Sequence, residues 1–250
     1  RATTAHTAIV LETIVFLFGG ILGTLHHLYF TGTPVFIIAL GGMFSALEVV
    51  PLAMVGIEAY RNYHRSRAAP WVQTYKWAIM SFIAVGFWNV VGARLLGFSI
   101  NTPIALYYMQ GLNMTAAHGH AALFGVYGML GIGLMLFALR GLSDRAVWSD
   151  KWLKPMFWSL NIGLAMMVFI SLVPAGIYQA WASVSTGMWF ARSPEVVHSQ
   201  LMETLVWLRV PGDVVFAFGT LFLALFALQL LKGSKHKQPV QIAVTQANRA

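Results

Sequence analysis

The sequence predicts an all-α membrane protein of about six transmembrane helices. Three observations predict it: a composition nearly free of charge, six apolar runs of spanning length, and basic residues gathered on one side of those runs. Of 250 residues, 58% are apolar and 10% charged, with a mean hydropathy of +0.69. A soluble domain carries about 25% charged residues. So few charges cannot cover a water-facing surface, whereas a lipid-facing surface needs none. There is no cysteine, which excludes disulfides and thiolate ligation, so any metal must be held by His, carboxylate or other oxygen ligands.

A bilayer-spanning helix needs roughly 20 mostly apolar residues. Segments 7–30, 34–60, 75–98, 112–139, 155–180 and 200–231 meet that requirement, and no internal repeat relates them. The connections are Thr31 to Pro34, the basic stretch Arg61 to Arg67, Asn101 to Pro103, the charged loop Arg140 to Lys154, and a longer segment, 181–199. The reading is a transmembrane domain over 1–232 and a polar tail over 233–250, expected to be disordered. The sequence opens on Arg1 without a signal-peptide pattern, so an interior piece of a longer polypeptide is expected.

The net charge of +8 is explained by placement. Arg61, Arg65, Arg67 and Lys76 flank one connection, and Arg140, Arg145, Lys151 and Lys154 flank another. Lys232, Lys235 and Lys237 follow the last span, and Arg1 precedes the first. If six helices alternate in direction, all of these lie on one face, and the other face holds little beyond Arg94 and Arg192. This is the positive-inside pattern, which puts both termini in the cytoplasm of a bacterial inner-membrane protein. The charge is topological, and nucleic acid is not an expected partner.

Ionisable groups inside apolar spans are costly and default to functional readings. Four of the eight histidines form two tight pairs: His26 and His27 at the end of the first span, and His118 and His120 near the start of the fourth. On an α-helix, residues i and i+2 point about 200° apart. His118 and His120 therefore cannot share one metal but can each ligate a centre on opposite sides of one helix. Gly119 and the alanines around them leave room for a large planar group. His26 and His27 diverge by about 100° and can converge on one ion where a helix end loosens. Alternating helix directions bring all four to similar depth on the periplasmic side. The structural alternative is that they only hydrogen-bond to carbonyls within the bundle. His6, His64, His198 and His236 lie at helix ends, loops or the tail, where solvated side chains are expected.

Adjacent histidines after Gly23-Thr24, followed about ninety residues on by a His-x-His, resemble the heme-copper oxidase superfamily. Within it, Phe44-Ser45-Ala46-Leu47-Glu48 and the run from Ala116 to Gly128 are similar to nitric oxide reductases. Trp207-Leu208-Arg209-Val210-Pro211-Gly212-Asp213 is similar to their quinol-dependent branch. The likeness runs from about residue 8 to 232, the C-terminal half of a catalytic subunit. It implies His26 and His27 as two of three ligands to a non-heme iron, His118 as ligand to heme b3, His120 as one axial ligand of heme b, and Glu48 as an acid near the binuclear centre. A carboxylate deep in an apolar span also calls for protonation, pairing or a nearby cation on its own account. The third iron histidine, its associated glutamate and the second ligand of heme b belong to the family's preceding helices and have no counterpart here. A complete site therefore needs the N-terminal half.

In the last span Arg209 and Asp213 are spaced to pair on one face. The resemblance adds a role in binding quinol, with Asp213 the stronger candidate and Glu203 the weaker. Glu12, Glu58 and Arg94 lie nearer span ends, where reaching toward the interface suffices. Trp71, Tyr107, Tyr108 and Trp181 suit an interfacial belt. The expected activity of the complete subunit is quinol-dependent reduction of nitric oxide to N2O and water. Besides quinol and nitric oxide, its partners are the lipid bilayer, the N-terminal half and, as an open option, a second copy in a homodimer. Alternatives are an oxygen-reducing heme-copper oxidase, a non-catalytic membrane fragment, or a transporter-like bundle with a histidine proton relay; a transporter would favour broken helices in matched repeats, which the sequence lacks. The topology is directly testable. A cysteine at position 66 should resist a membrane-impermeant thiol reagent in intact cells, and one at position 102 should label readily; the reverse pattern inverts the orientation.

Overall fold

The computed structural model describes residues 21–47, 49–143 and 148–234, together with His6, Ile9, Val10 and Thr13. Glu48 and the tail beyond Ser234 fall outside the described residues, as does most of the first expected span. What is described is helical throughout. After a tight turn over Thr24–Leu28 come α1, Val35–Leu47, and α2, Val49–Ser66. Four long helices follow: α3, Lys76–Asn101; α4, Asn113–Leu142; α5, Asp150–Ser185; and α6, Gln200–Gly233.

These four are the helices, among the described residues, that are long and apolar enough to cross a membrane. The expectation of about six is met in the last four spans. The second expected span is represented by α1 and α2, of which α1 is apolar but has only 13 residues. At 1.5 Å per residue the 36 residues of α5 extend about 54 Å. That exceeds the ~30 Å hydrocarbon core, so α5 projects beyond it, and the helix outruns the expected span 155–180 at both ends. Its start is fixed by Ser149, whose Oγ accepts the Lys151 N–H at 3.2 Å, a capping bond the apolar pattern does not reveal.

The core lies where α3, α4, α5 and α6 meet, around Trp77, Trp88, Ala117, Ala121, Leu136, Leu160 and Phe226. Association in lipid depends on close backbone approach and interhelical hydrogen bonds rather than on excluding water. Both are present. A Cβ at Gly163 would come within 2.5 Å of the Phe216 backbone nitrogen, and one at Gly219 within 2.7 Å of Leu160, so α5 and α6 run in near backbone contact. Between α3 and α5, the Trp88 indole N–H donates to Asn161 Oδ1 at 2.9 Å, and Asn161 Nδ2 donates to Phe157 O at 2.8 Å.

Three of the long helices widen into π turns, over Asn89–Leu96 in α3, His120–Gly128 in α4 and Met167–Leu172 in α5. The α3 and α4 π segments pack directly on each other; a Cβ at Gly92 would lie 2.6 Å from the Ala121 carbonyl carbon. Such turns shift the helical register and commonly mark functional positions. The last span is broken at Leu208–Arg209. Pro211 has no N–H to return to the Trp207 carbonyl, so the helix restarts at Val210.

Candidate metal centre

The site is built on the two histidine pairs and the π segments. His26 and His27 sit in the tight turn Thr24–Leu28 rather than on a regular α-helix. Their ring centroids are 4.1 Å apart with planes inclined at 34°, so the loosened helix end does bring them side by side. His26 is buried and His27 exposed. His26 Nδ1 donates to the Gly23 carbonyl. A carbonyl can only accept, so the proton is on Nδ1 and the Nε2 lone pair is left free.

His118 is held in the same way by another helix. Its Nδ1–H donates to the Gly92 carbonyl in α3 at 2.8 Å, and that carbonyl also takes the Gly97 N–H from five residues on. The wide turn thus supplies the acceptor that orients the ring. Gly97 lies against it, since a Cβ there would meet His118 Cε1 at 2.9 Å. His120 Nδ1–H instead turns back to Ala116 O in its own helix, at 2.9 Å. All three Nδ1-bonded rings therefore present a free Nε2. Metal-ligating histidines are commonly set by such a bond through the other ring nitrogen, which fixes tautomer and orientation. Beside the second pair, a Cβ on Gly119 would meet nothing within 4 Å, so there is open space for a large group against this stretch of α4.

Across the bundle, His118 lies in electrostatic range of both His26 and His27, while His120 turns to its own backbone. The structure thus sets His26 and His27 side by side, with His118 bonded to α3 and His120 to its own helix. From His120 to Gly128 α4 is π-helical, so the 100° per residue assumed from the sequence does not hold across that stretch. Among the described residues no three His or carboxylate side chains assemble into a metal cluster. His26 and His27 could supply at most two donors to a metal.

The other predicted residues lie elsewhere. Arg209 Nε donates to Asp213 Oδ2 at 3.0 Å, with the two side chains 42% and 40% exposed. The pairing expected from i,i+4 spacing is present, but it is half-exposed rather than buried. Glu203 is exposed in the first turn of α6. Glu48 lies outside the described residues. Arg94 departs from expectation: it does not reach an interface but is buried in the α3 π segment.

Two positioning residues escaped the sequence reading. Gln179, buried in α5, accepts both the backbone N–H and the side-chain amide of Asn113 at 2.9 Å, and so fixes the start of α4. A lone glutamine inside an apolar run was its only signal. Arg192 binds three connections at the same end of the bundle. Its guanidinium donates to Met188 O at 2.6 Å and to Gln110 O, and it lies 5.6 Å from the Phe30 ring centroid. Tyr29 hydroxyl adds a bond to Tyr107 O at 3.0 Å. These contacts tie the chain just after His26-His27 to the connection that leads into the His118 helix. Burial pulls the Arg192 guanidinium below its usual pKa, and the neighbouring Tyr29 opposes that shift.

The comparisons define the class. The family model for cytochrome c and quinol oxidase polypeptide I matches residues 1–215; the chain belongs to this family. It is similar to a nitric oxide reductase subunit of Stutzerimonas stutzeri, at 32% identity over 211 residues. That alignment covers 81% of the chain and 43% of the relative, so the chain spans less than half the length of this relative. The nitric oxide reductase likeness read from the histidine motifs is thereby supported at the level of a homologous subunit.

The Arg192 contacts carry a prediction. Arg192→Leu removes two charge-assisted bonds to carbonyls and should lower stability by about 2 kcal/mol or more, read as a lower Tm in detergent. Arg192→Lys should recover only part of the loss, because an ammonium lacks the planar fork that serves both carbonyls.

Proposed function

We propose that this chain is the C-terminal part of a quinol-dependent nitric oxide reductase. Its residues supply part of the heme b3 and non-heme iron centre and one ligand to heme b. The observation that carries the reading is the side-by-side placement of His26 and His27, with Nδ1 of His26 and of His118 engaged by carbonyls. The named relative is itself part of a nitric oxide reductase.

In this reading His118 Nε2 would hold heme b3 and His120 Nε2 would hold heme b. His26 and His27 hold the non-heme iron with ligands from the N-terminal half. When bound, the paired irons supply the one-electron chemistry of 2 NO + 2 e⁻ + 2 H⁺ → N2O + H2O, with quinol giving up two electrons and two protons. The chain's own residues set the geometry. The Gly92 carbonyl fixes His118, the Arg192 contacts set the His26-His27 turn against the α4 helix, and helix packing excludes water. Glu48 would balance charge or deliver protons. Asp213 would accept a hydrogen bond from quinol, with Glu203 secondary. Six crossings, both termini cytoplasmic, complete the proposal; the full bundle is of the heme-copper oxidase type.

The histidine roles separate spectroscopically in the full-length protein. His118→Ala should remove the high-spin heme signal and His120→Ala the low-spin one, while His26→Ala should keep both hemes and lower non-heme iron. A variant of His118 or His120 that kept its heme signal and activity would disprove the two-heme assignment.

Asp213 tests the quinol site. Because its ion pair is half-exposed, Asp213→Asn should change stability by no more than about 1 kcal/mol. Quinol-driven turnover should slow or its KM rise, with reduction by an artificial donor unaffected. Equal loss by both routes would remove Asp213 from the quinol site.

A further inference from the structure

The start of α4 has no cap of its own. Its N-cap residue is Leu112, which offers no side-chain oxygen. The Asn113 N–H is one of the first-turn donors that a helix leaves open, so it needs a partner from elsewhere. Gln179 in α5 supplies it. The Gln179 side chain is 6% exposed, and its Oε1 accepts the Asn113 N–H and the Asn113 side-chain amide, each at 2.9 Å. Its Nε2 donates to the Ala191 carbonyl at 3.4 Å. A backbone N–H can only donate and a carbonyl can only accept, so the amide has one satisfied orientation.

Backbone packing at this end sets a distance but not a register. A Cβ at Gly176 in α5 would meet the Met114 backbone nitrogen at 2.5 Å, so the two backbones touch there. A glycine contact has no side chain to interlock and leaves the helices free to slide past each other. Gln179, three residues on from Gly176 and on the same face of α5, adds directional bonds that stop the slide.

His118 lies five residues beyond Asn113, about 7.5 Å along the helix axis. Its Nδ1–H reaches Gly92 in α3 at 2.8 Å, a bond between two helices. His120 bonds Ala116 within α4 at 2.9 Å, a bond that moves with its helix. An N–H···O bond runs to about 3.2 Å, so a slip of α4 by roughly half an ångström would loosen the first bond and spare the second. The same amide reaches toward the other histidine pair. Ala191 adjoins Arg192, whose guanidinium binds Gln110 O and lies 5.6 Å from the ring centroid of Phe30, three residues past His27.

We propose that Gln179 is a positioning residue for His118. It sets the register of α4 against α5 and, through Ala191, ties that register to the connection that holds the chain after His26-His27. The inference rests on the reductase reading only for what His118 carries; the placement of the ring stands without it.

The test uses the full-length protein in detergent. In heme-free protein labelled with 15N-histidine, the Nδ1–H resonances of His118 and His120 are assigned by loss in the corresponding alanine variants. Gln179→Met keeps the length and removes all three bonds; it should shift or broaden the His118 resonance and leave that of His120 in place. Asn113→Ala removes one bond and should act in the same direction by less, which decides the matter if Gln179→Met does not fold. Gln179→Glu keeps the oxygen that serves Asn113 and should restore part of the wild-type signal. In heme-loaded protein held well below its Tm, Gln179→Met should lower occupancy of the high-spin heme roughly tenfold, as loss of a ligand's supporting contact does. An unmoved His118 resonance would overturn the proposal, as would equal disturbance of both histidines, which marks a general loosening of the bundle. Unchanged high-spin heme in Gln179→Met would overturn it too. High-spin heme that survives His118→Ala removes the reductase assignment of His118 instead, and the resonances still decide the role of Gln179.

Discussion

Inside a bilayer no water completes the hydrogen bonds of a polar group, so each one must find its partner in the protein or carry a large cost. That constraint organises the described part of this chain. The Trp88 indole is met by Asn161, which in turn donates to Phe157 O. Gln179 satisfies Asn113 at the start of α4. The histidines obey it too: one ring nitrogen of each of His26, His118 and His120 is given to a carbonyl. What is left over is a lone pair fixed in direction, and this is what a metal ligand requires.

The π turns show how the backbone meets the same demand. In a regular α-helix each carbonyl is engaged by the N–H four residues on. In the wide turn over Asn89–Leu96 the Gly92 carbonyl serves both the Gly97 N–H and the His118 ring. A carbonyl has two lone pairs, so the helix keeps its own bond while orienting a side chain of its neighbour. Close approach makes the bond possible, and glycine makes the approach possible: Gly92 faces Ala121, and Gly97 faces the His118 ring. Arg94, two residues along the same turn, is an exception, a buried cation whose Nε and Nη2 meet no acceptor among the described residues.

Membership of the cytochrome c and quinol oxidase polypeptide I family also accounts for what the chain does not assemble. Redox centres in such a bundle lie between helices that are distant in sequence. A chain matching 43% of a relative can carry one side of a centre without closing it. In the proposed reading the pair His26-His27 would be that kind of surface, two donors side by side with no three-ligand cluster among the described residues. The Arg192 contacts hold this surface in register with α4.

The sequence by itself determined the class and the candidates. Apolar runs of spanning length are dictated by bilayer thickness, so α3 to α6 were legible to within a few residues. Histidines in apolar segments stand out because their cost there demands a reason. The sequence could also say that His118 and His120 point apart, since that follows from helical geometry alone. Only the tertiary structure decided which carbonyl holds each ring, because the Gly92–His118 bond joins positions 26 residues apart. It moved Arg94 from an expected interface to the interior, since depth depends on the neighbours of α3 and on a π turn without a compositional mark. It also made the Arg209–Asp213 pair half-exposed, because solvent access at the start of a helix is set by what packs over it. Periodicity and cost are local properties that a sequence records, whereas partnership across a bundle is a property of packing and exists only once the helices have met.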